Sequence, residues 1–574
     1  MTQPPPPPNQ PPGPPPNQPP AGGYGAPPPQ PPQNPAYGHP QAPQPGQGPG
    51  YGYPQTPPPA PAQNPAYGYP TQPVQPQTVQ PQPVPPRSGG NGGMFNRTQW
   101  QIIAAAAVAI VLIIGGGVGY SVVKGDDTKN EAKNGTGGTS GGAKDGPAAA
   151  DGPGKEKAPA KVASKVAFQL PEPDRDDLMA VYGSWVTDKA YVKPGANSVV
   201  GYDVAKGTPL WTTDLPGQVC GASRHVTEDN KTAILFEATK RKAPKFYEKC
   251  TEVGVIDLNT GKLLWSTSVK GDGDQKAEFT EVTLSGNTVA AGGGLRGGGA
   301  FNLKTGAVLW KPKVDAQQCR DLGYGGGKAL VAVRTCGEYG DQTTTTIQPL
   351  NPDNGTPLSS FKMPAGVDDA RIVSSDPLVV AADVGDTGTF GISDFFSVDA
   401  NTGKQLAKIS APGDTYEARC AASDGVEGCQ FVVVGNGRLY LPTAQRFDER
   451  TNEIVSFDLA TGKAAGGRAD AGKGYTSLPL RMDGGNIIAY KTGPYDKGGQ
   501  VVSINGATFK QTVLMENPGE RAIRDVEAGF TTSGSEFRYA AGRLFISERL
   551  LGKPRDDDPS FGKKYLAVAF STAD

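Results

Sequence analysis

A ten-residue phrase recurs through the C-terminal two-thirds of this chain, and it limits the accessible folds more than any other feature. Ile256-Asp257-Leu258-Asn259-Thr260-Gly261-Lys262-Leu263-Leu264-Trp265 is preceded by Tyr202-Asp203-Val204-Ala205-Lys206-Gly207-Thr208-Pro209-Leu210-Trp211. It is followed by Phe301-Asn302-Leu303-Lys304-Thr305-Gly306-Ala307-Val308-Leu309-Trp310. Fainter copies begin at Leu350-Asn351, Val398-Asp399, Phe457-Asp458 and Ser503-Ile504. Their turn glycines, taken as Gly207, Gly261, Gly306, Gly355, Gly403, Gly462 and Gly506, are 44 to 59 residues apart. That period specifies a stack of equivalent small units and lowers the odds that any one motif is catalytic.

Between the phrases lie short β-rich runs at 287–291, 329–333, 378–382, 431–434 and 438–441, separated by Gly/Asn/Asp turns. No long 3.6-residue period interrupts them, so the units are all-β. In each phrase the Thr-Gly or Asn-Gly step supplies the positive φ of a tight hairpin, and the Asp bonds the turn amides. The Trp is bulky enough to fill the wedge between neighbouring sheets. Repeated four-stranded units predict a β-propeller of eight blades, with seven as the alternative. The last unit lacks a strand, and Val166-Ala167-Phe168-Gln169-Leu170 has no unit of its own. Pairing the two would close the ring and remove two exposed edges.

Upstream the texture differs. Of 57 prolines, 35 fall in the first 90 residues, where Arg87 is the only charged side chain. Residues 1–98 are therefore expected to be a disordered Pro/Gln/Gly/Tyr-rich tail, placed on the cytoplasmic side. Residues 102–123 form an uncharged apolar run that reaches about 33 Å as a helix, enough to span a bilayer. With Trp100 and Tyr120 near its ends, 99–123 is read as a single transmembrane helix. Residues 124–164 read as a flexible extracytoplasmic linker, and 165–574 as the propeller. The formal net charge of −1 offers no basic face for nucleic acid.

The flanking lysines do not favour an N-inside orientation; the cysteines do. Cys220, Cys250, Cys319, Cys336, Cys420 and Cys429 all follow the apolar run. Six cysteines allow fifteen connectivities. Their equivalent places in the repeat frame make three bridges between sequential neighbours, each inside one unit, the simplest pattern. That favours an oxidising compartment over a cytosolic domain with six buried thiols.

The phrase from Asp257 to Trp265 resembles the tryptophan-docking repeat of the pyrroloquinoline quinone (PQQ)-type β-propellers. The resemblance covers residues 165–574 and is strongest over the first three units. Its repeat residues here are Asp203, Trp211, Asp257, Gly261, Trp265, Gly306, Trp310, Asp399, Gly403, Asp458 and Gly462. The family implies eight blades and contains quinoprotein dehydrogenases as well as non-enzymatic envelope scaffolds. The tail, span and propeller together are similar to envelope proteins of Gram-positive actinobacteria. Dehydrogenases of the family hold PQQ over a disulfide between adjacent cysteines, with Ca²⁺ beside it. No adjacent pair exists here, the closest being Cys420 and Cys429. No cofactor and no metal are therefore expected.

Nothing else singles out a reaction. His225 is the only histidine after the apolar run and is read as a surface or packing residue, which leaves little room for zinc or triad chemistry. Gly292-Gly293-Gly294-Leu295-Arg296-Gly297 spells a phosphate-binding motif but lies between strands, so it reads as a hairpin loop. Asp272/Asp274 and Asp556-Asp557-Asp558 read as solvated loops rather than Ca²⁺ sites. The expected function is a non-catalytic, membrane-anchored binding or scaffold module that meets an envelope protein, peptide or glycan. The loops 339–345 and 493–499 are candidate contact surface. An enzyme, as a diverged PQQ dehydrogenase or an acidic-residue hydrolase, is the alternative.

Overall fold

The computed structural model describes residues 153–573, except 245, 272–273, 338–342, 385–391, 421–424 and 554–563. The expected tail and membrane helix lie outside the described residues. Among the described residues no helix is long and apolar enough to cross a membrane.

Eight antiparallel four-stranded sheets form the blades of the predicted propeller. Seven follow in chain order, blade 1 starting at Trp185–Val186 and blade 7 ending at Gln511–Glu516. Blade 8 contains Ser535–Ala540, Arg543–Glu548 and Tyr565–Ser571, and its outer strand is Lys165–Pro171 from the start of the domain. Val166 pairs with Phe570 and Phe168 with Ala569, so the N-terminal strand closes the ring where the sequence left a gap.

Each phrase makes the turn between the third and fourth strands of a blade. Asp203 Oδ1 accepts the amides of Ala205 (3.0 Å) and Lys206 (2.8 Å), and the Gly207 N–H donates back to the Asp203 carbonyl. Asn302 and Asp458 do the same, because either side chain supplies the required oxygen. The glycines from Gly207 to Gly462 hold φ between 68° and 75°. Blade 7 departs from the sequence reading: Phe509, not Gly506, has positive φ (59°) and donates to the Asn505 carbonyl.

Aromatic rings lock neighbouring blades. A Cβ on Gly261 would fall into the Trp211 indole, one on Gly306 into Trp265, and one on Gly355 into Trp310. At the closure the Phe168 ring covers Gly207, so it does for blade 8 what tryptophan does for the first three. Where tryptophan is missing, backbone of the preceding outer strand takes its place: the Ser360 carbonyl lies over Gly403 and the Lys408 carbonyl over Gly462. Between blades 6 and 7 the seam is reversed, with the Phe509 ring on Gly467 of the preceding blade. Apolar clusters fill the wedges between sheets, as where Val331, Val333 and Ile347 of blade 4 meet Ile372, Val380 and Phe396 of blade 5.

The first–second and third–fourth strand turns share one face of the ring. Leu258 donates to Asn230 and Leu303 to Asn287, so the two turns of a blade are stapled together. This is the turn face. The second–third hairpins and the connectors between blades share the opposite, loop face. There the connector after blade 7 carries the α-helix Arg521–Gly529, whose buried Glu527 accepts Tyr490 Oη (2.9 Å) and the Gly499 amide (3.0 Å).

Residues 153–164, expected to belong to a free linker, lie against the propeller. Val162 and Ser164 exchange backbone bonds with Glu516, and Glu156 pairs with Arg481 at 2.5 Å. Low-complexity composition concealed a segment whose backbone and one carboxylate have fixed partners.

Candidate functional site

The inner strands surround a central cavity of about 670 Å³. Its walls come from blades 1, 2, 3, 4, 7 and 8, and from a hairpin in the connector between blades 5 and 6. That hairpin contains the Arg419–Cys420 and Cys429–Gln430 strands, paired residue to residue.

All six cysteines are bridged as Cys220–Cys250, Cys319–Cys336 and Cys420–Cys429. The first two lie in blades 2 and 4, as the repeat frame suggested. The third lies outside any blade, in the connector hairpin, because nine residues of separation fit a local ladder rather than a whole unit. The first two cross-link the loop-face end of their blades, and the third closes the connector hairpin on itself.

The hairpin tip plugs the channel. Val426 is buried against core residues of blades 4 and 5, its carbonyl accepts the Ile372 amide (2.8 Å), and its amide donates to Glu281 Oε2 of blade 3. Glu427 Oε1 accepts the Gly326 amide (3.0 Å) and lies 2.7 Å from His225 Nε2. Arg224 donates to the Cys429 carbonyl at 3.1 Å. One short segment is thus held by blades 2, 3, 4 and 5. Glycine stands at 323 and 425 because a Cβ at either would land on a Glu281 carboxylate oxygen.

Two carboxyl groups at the plug titrate far apart. Burial pushes Glu281 up to about 8, helped by the charge of Glu427 and opposed by the Val426 amide, so it is protonated at neutral pH. Burial also acts to raise Glu427, but His225, Arg224 and the Gly326 amide outweigh it and hold that group down at about 2. A third carboxylate, Glu536 of blade 8, pairs with fully buried Lys193 of blade 1 at 3.0 Å. Burial opposes its ionisation, yet Lys193 and Arg538 bring it down to about 2. The pair ties the closing blade to the first one, and the Lys193 ammonium also donates to the Val181 and Gly183 carbonyls.

The cavity does not fit PQQ as the family binds it. Two disulfides reach its wall, through Cys220 and Cys429, and their partners Cys250 and Cys420 lie 30 and 9 positions away, so neither forms the ring of adjacent cysteines that would lie under a planar quinone. Glu427 and Glu536 are occupied by His225 and Lys193, and Glu281 is a neutral acid under the plug. Among the described residues no three His, Cys, Asp or Glu side chains converge to hold a metal ion.

His225, read as a surface or packing residue, is half-buried in the channel wall and engages Glu427, 202 positions away, a partner the sequence reading did not foresee. No local signal marks such a contact. Gly292–Gly297 does form a hairpin loop, with a 3-10 turn at Gly294–Arg296. Asp274 is exposed beside Lys270, whereas Asp272, Asp556, Asp557 and Asp558 lie outside the described residues. Glu281, Glu427, Lys193 and Glu536 had no repeat or motif to mark them.

Residues 177–322 match the family model described as outer membrane protein assembly factor BamB. Among solved structures, BamB from Moraxella catarrhalis is 11% identical with a TM-score of 0.36, covering 70% of this chain and 99% of that one. A europium-containing methanol dehydrogenase is 12% identical with a TM-score of 0.40, over 71% and 93% of the two chains. The quinohemoprotein alcohol dehydrogenase of Comamonas testosteroni is 14% identical with a TM-score of 0.39, over 71% and 76%. No curated protein sequence matches the chain.

Proposed function

We propose, from the premise that this chain belongs to the PQQ-like β-propeller family, that it is a non-catalytic binding or scaffold module of the cell envelope. In this reading residues 102–123 anchor it by one membrane span, and the propeller faces the extracytoplasmic side, where an envelope protein, peptide or glycan is met. The observation that carries it is the plug. The ionised carboxylates of the channel are engaged in holding the fold, and a disulfide-bonded hairpin stands where a reaction centre would need open space. Three disulfide bridges support the oxidising side of the membrane.

Crosslinking of intact membranes followed by purification tests the module: reproducible envelope partners are expected, and none would count against it. Adding PQQ and Ca²⁺ to the purified protein is expected to leave its absorbance spectrum and Tm unchanged. A quinone band with a raised Tm would favour the enzyme. Thiol labelling with an impermeant reagent is expected only after reduction, without lysis.

A further inference from the structure

The net charge of −1 conceals a local excess of cations on the loop face of blades 2 and 3. The hairpin between the second and third strands of blade 2 carries exposed Lys240, Lys242 and Lys249, and the connector after blade 3 carries exposed Lys311 and Lys313. None of these five has a carboxylate within ion-pair distance among the described residues.

The pieces are contiguous. Tyr247 Oη of the blade 2 hairpin donates to Glu278 at 3.0 Å, and Arg296 of the blade 3 hairpin reaches the same carboxylate at 3.3 Å. Gly297, next in that hairpin, lies against Lys313 so closely that a Cβ there would be 3.0 Å from its carbonyl. The Cys220–Cys250 bridge fixes the base of the blade 2 hairpin.

Charge is sorted by depth. The side chains of Glu252 and Glu278 are 14% exposed, while their partners Lys276 and Arg296 are 51% and 60% exposed. Glu237 is fully covered beneath Arg241. The acids orient the layer from below and the cations face water; Asp274, paired with Lys270, half-buried Glu248, and half-buried Asp315, paired with Arg334 and close enough to feel the charge of Lys313, are the acidic exceptions. Tyr247 and Leu295 stand exposed among them at 52% and 56%.

We infer that this patch docks an anionic, phosphodiester-bearing polymer of the envelope. Its free cations are lysines, compact point charges on flexible stems that suit spaced phosphates. The one exposed guanidinium, Arg296, is already engaged by Glu278, so the planar fork that favours carboxylates is not on offer. The location of the partner rests on the envelope-module reading; the charge argument does not.

The test uses the full chain in zwitterionic nanodiscs, with labelled long-chain inorganic polyphosphate as probe and anisotropy as readout. Affinity is expected to fall steeply with salt, and the variant K242Q/K249Q/K311Q/K313Q to bind about tenfold or more weakly, with its log–log salt slope reduced by about three. A control variant with Lys262, Lys304, Lys404 and Lys463 of the turn face changed to Gln is expected to bind as the parent does. Equal losses in both variants, an unchanged slope, or tighter binding to poly-glutamate or phosphatidylglycerol vesicles would overturn the inference. Envelope crosslinks that persist in the Lys→Gln variant would overturn the patch and leave the module reading standing.

Discussion

The two faces of this propeller are built by different means. The turn face repeats one local solution: an Asp or Asn oxygen on the turn amides, a residue with positive φ, and an aromatic ring or backbone carbonyl on the next blade's turn. Among the described residues the loop face is held by individual contacts instead: three disulfides, a buried Glu527 and a channel plug. Periodic local chemistry gives the ring its closure, and non-periodic, long-range contacts give the other face its individuality.

Substitutions on the turn face should show the largest effect. Gly261→Ala sets a methyl into the Trp211 indole at φ +75° and is expected to cost about 3 kcal/mol, from strain and overpacking together. Gly286→Ala, at φ +55° with open space around it, isolates the backbone part and should cost about 1 kcal/mol. Urea denaturation of both decides the point; equal losses would mean that the ring–glycine contact contributes nothing.

On the loop face, Cys420→Ser with Cys429→Ser removes a cross-link that closes only a nine-residue loop. Loop-closure entropy puts the loss at about 2–3 kcal/mol. Because the plug tip retains its bonds to Glu281, His225 and Arg224, blade folding should persist, and hydrogen exchange should rise first at Val426 to Cys429. Exchange spreading equally through the blades would break the distinction between the faces.

The smallest effect is a pH dependence. Glu281 is raised to about 8 in the fold, so its favourable contribution is fully present below the ordinary carboxyl range and is lost as pH rises towards 8. Glu427, held at about 2, contributes in the opposite sense: its share is present above the ordinary range and is lost as pH falls towards 2. Glu281→Gln should therefore flatten the alkaline decline in Tm between about pH 5 and 8 and leave the acid limb in place. A parallel profile for parent and variant would show that the plug carboxyl is not protonated.

Much of the architecture could be read before any coordinates. Eight blades, the strand around Phe168 that closes the ring, and the sequential cysteine pairs followed from spacing. Where the reading slipped, a local pattern had two solutions. In Ser503-Ile504-Asn505-Gly506-Ala507-Thr508-Phe509, glycine attracts the turn assignment, yet Phe509 adopts the positive φ because its ring fills the seam against Gly467. Segment 153–164 looked free because its partners, Arg481 and Glu516, lie more than 300 positions away.

The sequence by itself determined the ring, because turn, register and blade docking depend on residues a few positions apart and the same phrase states them repeatedly. Only the tertiary structure decided the site. His225 met Glu427, Lys193 met Glu536, and the lysines of blades 2 and 3 gathered on one surface while the total charge stayed near zero. Such pairings depend on which blades the closed ring makes neighbours and which connector turns into the channel. No residue in them carries a signature of its own, so their chemistry exists only once the chain is folded.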